Sequence, residues 1–503
     1  MAAQPIPLPR PQPEADRYTF KGGFPSRETV QRAYDNADLN RAIQAYRFFY
    51  PNVSILGLFK GFEPIGTKDN RSFVILEGRP SGVLFTPNSD TPYAAIPLDL
   101  SNGPITVELP EGPLIGVAND LNFRWVIDMG LPGPDAGKGG KHVILPPNYE
   151  GKIPAGYYTG ASTTNRVFLI VRSLPLKGEV KAALDRIQTV KVQPLNPVKG
   201  WKPPTWTNVT EKSFDATPLQ WETNLKFWEA LHSIIDTEPA YEPFRNYYGE
   251  LAALGIVKGK PFVPDARMKS ILEKAAKEAN AQMRVQSFAD RRPDRVVWND
   301  RRSWEWATLR PENGVFDAAT YADLDAREKW FFQATFESPA MFRRKAGGGS
   351  VYWLGVRDQN GAFLDGGKSY QLRIPVPVPA KLFWSVTLYD AETRPRSRRN
   401  RIGQRCVLCL SGQLLKTTPW ICISVRRNQL GKRANGLRRS PARAGLSISA
   451  FTGQKKRHST VLGNRATSKK QSKVFARRLK KEEPLWPLNQ YHFPRGRPVN
   501  PAS

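Results

Sequence analysis

The sequence predicts an α+β protein, mainly β with an α-helical bridge, built as two antiparallel β-sandwich or jelly-roll-like domains. Three observations predict this class. Short β-prone runs cut by Gly and Pro fill 72–173, with no helical pattern between them. Residues 181–283 then switch to an apolar period of about 3.6. After a further helical stretch at 318–336, β-prone runs return between 351 and 390. A chain of 503 residues has room for two or three domains and ample core.

Taken in order, residues 1–25 are Pro-rich at the start and predict a disordered N-terminus. The segment 26–51 predicts a helix, with Ser26 as N-cap, Glu28 in the first turn and Pro51 as its stop. That helix and the runs FVILE (73–77), ITVELP (105–110), FRWVIDM (123–129), HVILPP (142–147) and RVFLIVR (166–172) make a first β domain over 26–180. The bridge, 181–335, contains amphipathic patterns at 219–236 and 266–289. VYWLGVRD (351–358), YQLRIPVPVP (370–379) and LFWSVTLYD (382–390) make 336–394 the first half of a second β domain. No internal repeat accompanies the two β regions.

The segments TPNSDTPYAAIPLDLSNGPITVELP (86–110) and GPDAGKGGKHVILPPNYEGKIPAGYY (133–158) resemble the first domain of a bacterial family of unknown function. GGGSVYWLGVRDQNGAFLDGGKSYQLRIPVPVPAKLFWSVTLYDAETR (347–394) resembles the start of its partner domain. These are the paired domain-of-unknown-function families numbered 1254 and 1214. The resemblance implies β-sandwich or jelly-roll-like folds and implies no reaction. It also implies that the second domain continues past Arg394 with patterns such as DLYFGP, GWF and YGP.

The chain departs from those patterns after Arg394, and its charge changes at the same place. The formal charge is +30, yet 394–503 alone holds 27 Lys and Arg against Glu482 and Glu483. The preceding residues carry 48 bases and 43 acids, an ordinary balance. Reading the third base of each codon with the first two of the next forces an aspartate at the junction of 420 and 421. The same phase permits DLYFGP there, and forces tyrosine or histidine at the junction of 451 and 452. A reading-frame shift is thus expected after 394, leaving 395–503 a basic, disordered tail and truncating the second sandwich. Cys406, Cys409 and Cys422, the only cysteines, then carry no zinc or redox role. Non-specific binding of nucleic acid or another polyanion by the tail follows from its charge alone.

Candidate chemistry in the remainder is sparse. HExxH and G-x-S-x-G patterns are missing, and no cysteine precedes the tail, which argues against metallo- and thiol hydrolases. Asp90, Asp128, Asp135 and His142 are the acid–base candidates, should two of the carboxylates meet in one cleft. Asn88 and Tyr93 in PNSDTPY (87–93) could face a ligand at the mouth of the first sandwich, or simply close a turn. The glycine-rich run 128–142 could bring N–H groups and Lys141 to an anion, though a plain loop explains it as well. Arg357, Asp358 and Trp384 could line a sugar- or aromatic-binding face, or serve packing and ion pairing.

No cofactor or metal is expected. Three functions stay open: a small-molecule or glycan binder, an enzyme with acid–base chemistry, and a frame-shifted product without function. A basic-tailed nucleic-acid binder is a further alternative, and a homo-oligomer is compatible with all of them. No signal peptide and no apolar run of about 18 residues are visible, so a cytoplasmic protein is expected, or a periplasmic or secreted one if the start is misplaced.

Overall fold

The computed structural model describes residues 18–77, 82–87, 91–298, 304–310, 316–344, 349–365, 368–373, 378, 384–394, 420–424 and 444–452. A small hairpin of β1 (Phe20–Lys21) and β2 (Phe24–Pro25) precedes α1 (Arg27–Phe62). Ser26 caps α1 by accepting a hydrogen bond from the Thr29 N–H at 3.2 Å. The helix does not stop at Pro51 but carries it inside. A proline in a helix interior costs about 3 kcal/mol. Against this, Val53, Ile55, Leu58, Phe59 and Phe62 all become buried when the helix continues. At roughly 1.5–3 kcal/mol for each such side chain, tertiary burial wins over the local stop signal.

The first β region is a sandwich of two sheets, with α1 packed on the outer face of the larger one. Strands β3 (Ser72–Leu76), β4 (Gly82–Val83), β5 (Tyr93–Asp99), β6 (Ile105–Leu109), β7 (Leu114–Asp120), β8 (Trp125–Gly130), β9 (Gly140–Leu145), β10 (Tyr157–Ala161) and β11 (Arg166–Ser173) follow in order. Then come α2 (Val180–Gln188), β12 (Lys191–Pro194), β13 (Thr205–Asn208) and β14 (Phe214–Asp215). A six-stranded sheet runs β13-β3-β5-β11-β7-β8, and a four-stranded sheet runs β10-β9-β6-β12. The sheets are mixed rather than purely antiparallel, because β13 lies parallel to β3 and β10 parallel to β9. Both parallel partners arrive after long connections and add at sheet edges, where a crossover is geometrically open.

Strand periodicity explains the core. On β11, Val167, Leu169 and Val171 enter the cluster between the two sheets, with Ile96, Leu98, Val107, Ile144 and the α2 residues Leu184 and Ile187. Phe168 and Ile170 fall on the other face, against Phe59 and Phe62 of α1. The larger sheet is therefore covered on both sides, and its strands read as continuous apolar runs.

The bridge contributes α3 (Lys226–Thr237), α4 (Arg245–Ala253) and α5 (Ala266–Phe288). Phe227, Trp228, Leu231, Leu272, Ala276 and Met283 pack on the middle of α1, around Tyr46, Phe49 and Tyr50. β15 (Trp304–Trp306), α6 (Leu324–Gln333), α7 (Pro339–Phe342), β16 (Gly349–Gly355), β17 (Ser369–Arg373) and β18 (Trp384–Asp390) follow.

Two stretches of the basic C-terminal region are also strands, β19 (Trp420–Ser424) and β20 (Ala444–Thr452). β20 lies between β16 and β18, antiparallel to both, and β19 pairs with β17. Both segments fall within the 395–503 region for which the sequence predicts disorder. The ladder uses main-chain groups, which any sequence supplies. The remainder of 395–503, with Cys406 and Cys409, lies outside the described residues.

Candidate functional site

Where the helix-facing side of the six-stranded sheet meets α6, α7 and β16, the packing leaves a cavity of about 160 Å³. Leu58 of α1, Val117 and Ile170 of the sheet, Trp330 of α6, and Phe336 and Met341 around α7 supply much of its wall. Few voids larger than a water molecule occur in a folded domain, so a space of this size is a feature to be explained.

Asp128 of β8 stands on this wall, 5% exposed, opposite Val117 in the β7–β8 ladder. Burial pushes its carboxyl up to about 7, offset only in part by Ser338, the Trp125 indole and the Ala340 amide. Its Oδ1 is buried and has no hydrogen-bond partner among the described residues. The segment that carries Ser338 is pinned to the sheet end by its neighbour. Asn119 accepts from the Glu337 N–H at 2.9 Å and donates to the Glu337 carbonyl at 3.0 Å, while the Trp125 N–H donates to Glu337 Oε1 at 3.2 Å.

A second polar group lines the cavity from β5, β11 and β16. Arg172 donates through Nε to Thr91 at 3.1 Å and lies 5.2 Å from the Tyr93 ring centre. Tyr352 lines the same wall, and burial raises its phenol. At a further edge sits Arg394, which donates to both Glu222 carboxylate oxygens (2.6 and 2.5 Å) and to the Tyr50 hydroxyl at 3.0 Å. Tyr50 in turn donates to Glu222 at 2.9 Å. Glu222 and Arg394 are both buried, so this bidentate pair holds the turn after β18 to the segment before α3 by charge-assisted hydrogen bonds, and the Tyr50 hydroxyl ties both to α1.

The sequence-selected residues divide among several places. Asp128 and Tyr93 reach the cavity. Asp135 and His142 meet each other at 3.2 Å, but both side chains are sealed from solvent. Burial would raise the Asp135 carboxyl, yet hydrogen bonds from His142 and the Gly130 N–H outweigh it and leave it lowered. That pair closes the glycine-rich loop onto its own strand, away from the lining of the cavity. Lys141 is exposed on β9. Asp358 accepts from the Asn360 and Ala362 N–H groups, and Arg357 donates to the Gly361 carbonyl at 2.9 Å and covers the Phe363 ring. Both therefore build a turn at the end of β16. Trp384 is half-buried at the start of β18. Asn88 and Asp90 lie outside the described residues.

Sequence reasoning missed Arg172, Ser338 and Tyr352. A lone arginine closing the apolar run RVFLIVR was the one legible signal, since such a strand end has to give the guanidinium a partner.

Fold and site together define an α+β protein with a mostly apolar, partly open pocket and a buried acid on its wall. Residues 73–194 match the family described as protein of unknown function (DUF1254), and residues 349–415 match protein of unknown function (DUF1214). The chain thus carries the two domains of the family it resembles, in the expected order. The second match runs past Arg394, so the departure inferred there is not where similarity ends. The crystal structure of the VPA0106 protein from Vibrio parahaemolyticus is similar at 16% identity and a TM-score of 0.49, covering 84% of this chain and 98% of that one. An uncharacterised protein from Burkholderia cenocepacia is similar at 11% identity and a TM-score of 0.34, covering 85% and 94%. No curated protein matches.

Proposed function

We propose that this protein binds a small molecule with a largely apolar body in the cavity beneath the six-stranded sheet. The carrying observation is the partly open pocket itself, about 160 Å³ walled by Leu58, Val117, Ile170, Trp330, Phe336 and Met341. An engineered apolar cavity of about 150 Å³ binds benzene, which sets the scale of the ligand. Polar groups such as Gln333, Ser350 and Tyr352 also line the wall, but its exposed surface is mainly apolar, so an apolar body fits better than a glycan. The test is calorimetric titration with toluene of the native chain and of Ile170→Trp, which fills the cavity from β11. Binding by the native chain and its loss in a folded Ile170→Trp is expected. Equal binding by both would overturn the reading.

A second reading, acid–base catalysis, is favoured by a single observation: Asp128 has its pKa near neutrality on a cavity wall. Turnover of any cavity ligand that disappears in Asp128→Asn with folding retained would support it. Turnover unchanged in that variant would exclude Asp128 as its base.

A further inference from the structure

We infer that Asp128 is the recognition group of this cavity, and that the ligand presents to it a hydrogen-bond donor, a hydroxyl or an ammonium, carried on a compact apolar body. The inference rests on the binding reading above and names the chemistry of its ligand. Four observations carry it. The Asp128 side chain lies on the cavity wall and is only 5% exposed. Its Oδ1 is buried and has no hydrogen-bond partner among the described residues, whereas nearly all buried polar atoms of folded proteins have one. Of the nearby groups, Ile115 and Met341 offer no donor, and Ser338, the Trp125 indole and the Ala340 amide lower its carboxyl without satisfying Oδ1. Of the two arginines in the lining, Arg172 is directed to Thr91 and the Tyr93 ring, and Arg394 to Glu222 and Tyr50.

An acceptor held dry beside an empty space of benzene-like size selects for a donor on the molecule that fills it. Leaving such an acceptor unmet costs affinity, so an apolar isostere without a donor binds more weakly than one that has it. Once Asp128 is ionised, an anionic ligand is disfavoured at this wall, because it would place a second negative group against the carboxylate.

Four probes of one shape test this: toluene, benzyl alcohol, benzylamine and benzoate, titrated into the full chain at pH 8.5, above the raised pKa of Asp128, where its carboxyl is ionised. The expected order is benzyl alcohol or benzylamine bound at least about tenfold more tightly than toluene, as one hydrogen bond to a charged acceptor implies, with benzoate weakest. The alcohol and the amine separate the two donor sources. In Asp128→Leu, which keeps the volume and removes the acceptor, toluene binding should persist and the preference should vanish. Asp128→Asn, which keeps an acceptor without charge, should retain the alcohol and lose the advantage of the amine. If toluene binds and the donors gain nothing over it, or if the preference survives in Asp128→Leu, the inference is wrong while the cavity reading stands. If none of the four binds, both fall.

Discussion

At the scale of single residues, Asp128 makes a prediction with a definite sign. Its carboxyl has its pKa raised to about 7 in the folded chain against an ordinary 3.8. The native state keeps a proton that the unfolded chain releases, so the stability present below about pH 4 is lost as pH rises toward 7. The groups around it, Ser338, the Trp125 indole, the Ala340 amide and Arg343, do not remove this penalty. Denaturant unfolding of the native chain and Asp128→Asn between pH 4.5 and 8 should therefore diverge, with the native chain losing on the order of 2–4 kcal/mol more. Parallel curves would refute the assignment. Arg394 and Glu222 give a second test. Arg394→Ala strands a buried carboxylate and should cost about 3–5 kcal/mol, while the paired change Arg394→Met with Glu222→Leu should cost clearly less. Asp128 was visible in the sequence as one acid among several. Which acid would be dry and which engaged depended on Ser338 and Ala340, some two hundred residues away, and nothing local encoded that.

At the scale of elements, α1 shows how packing overrides a local signal. Its second half is buried along nearly every position from Phe48 to Phe59, so the helix axis is enclosed and other chain segments cross it closely. Gly61 is the tightest crossing. A Cβ there would sit 2.3 Å from the Ala216 Cα and 2.3 Å from the Asp215 carbonyl, both backbone atoms. Gly61→Ala must push β14 away from α1 and should destabilise by about 1–3 kcal/mol, readable as a shift in the denaturant midpoint at unchanged slope. No shift would mean that β14 is not held there. The strands that the sequence revealed, such as β3, β6, β9 and β11, are those with uninterrupted β-branched or aromatic runs. β7 (LIGVAND) and β10 (YYTGA) went unread because Gly116 and Gly160 break the pattern. Those glycines are required by contacts the sequence does not show: at Gly160 a Cβ would come within 2.7 Å of the Val126 carbonyl. The end of α1 was misjudged for the same reason, since the burial that offsets Pro51 comes from β11 and α6.

At the scale of the whole molecule, the open matter is the origin of the basic C-terminal region, which we propose is a frame-shifted translation. β20 bears on it directly. This segment pairs on both sides, with β16 and with β18, and a strand paired on both sides is ordinarily rich in β-branched and aromatic residues. As written it reads AGLSISAFT, in which Leu446, Ile448 and Phe451 are the large apolar residues. Shifted by one base, the codons of 444–452 permit Trp-Phe-Val-Tyr-Phe-Arg-Ile-Tyr, a far better strand, and they force tyrosine or histidine at the end of it. A frame shift preserves position along the chain while scrambling side chains, so it leaves the backbone slot of a strand and removes what would fill the adjoining core. Sequencing the coding DNA across codons 385–475 from an independent sample should find a single-base change that restores DLYFGP. The repaired chain should then unfold at a higher denaturant concentration and with a steeper slope than the chain as written, because it buries more surface. If the frame is confirmed as it stands, the 27 basic residues after 393 are made and selected. Binding of RNA or DNA by the full chain should then weaken steeply with salt, as counterion release requires, and the tail would be a second site rather than a scar.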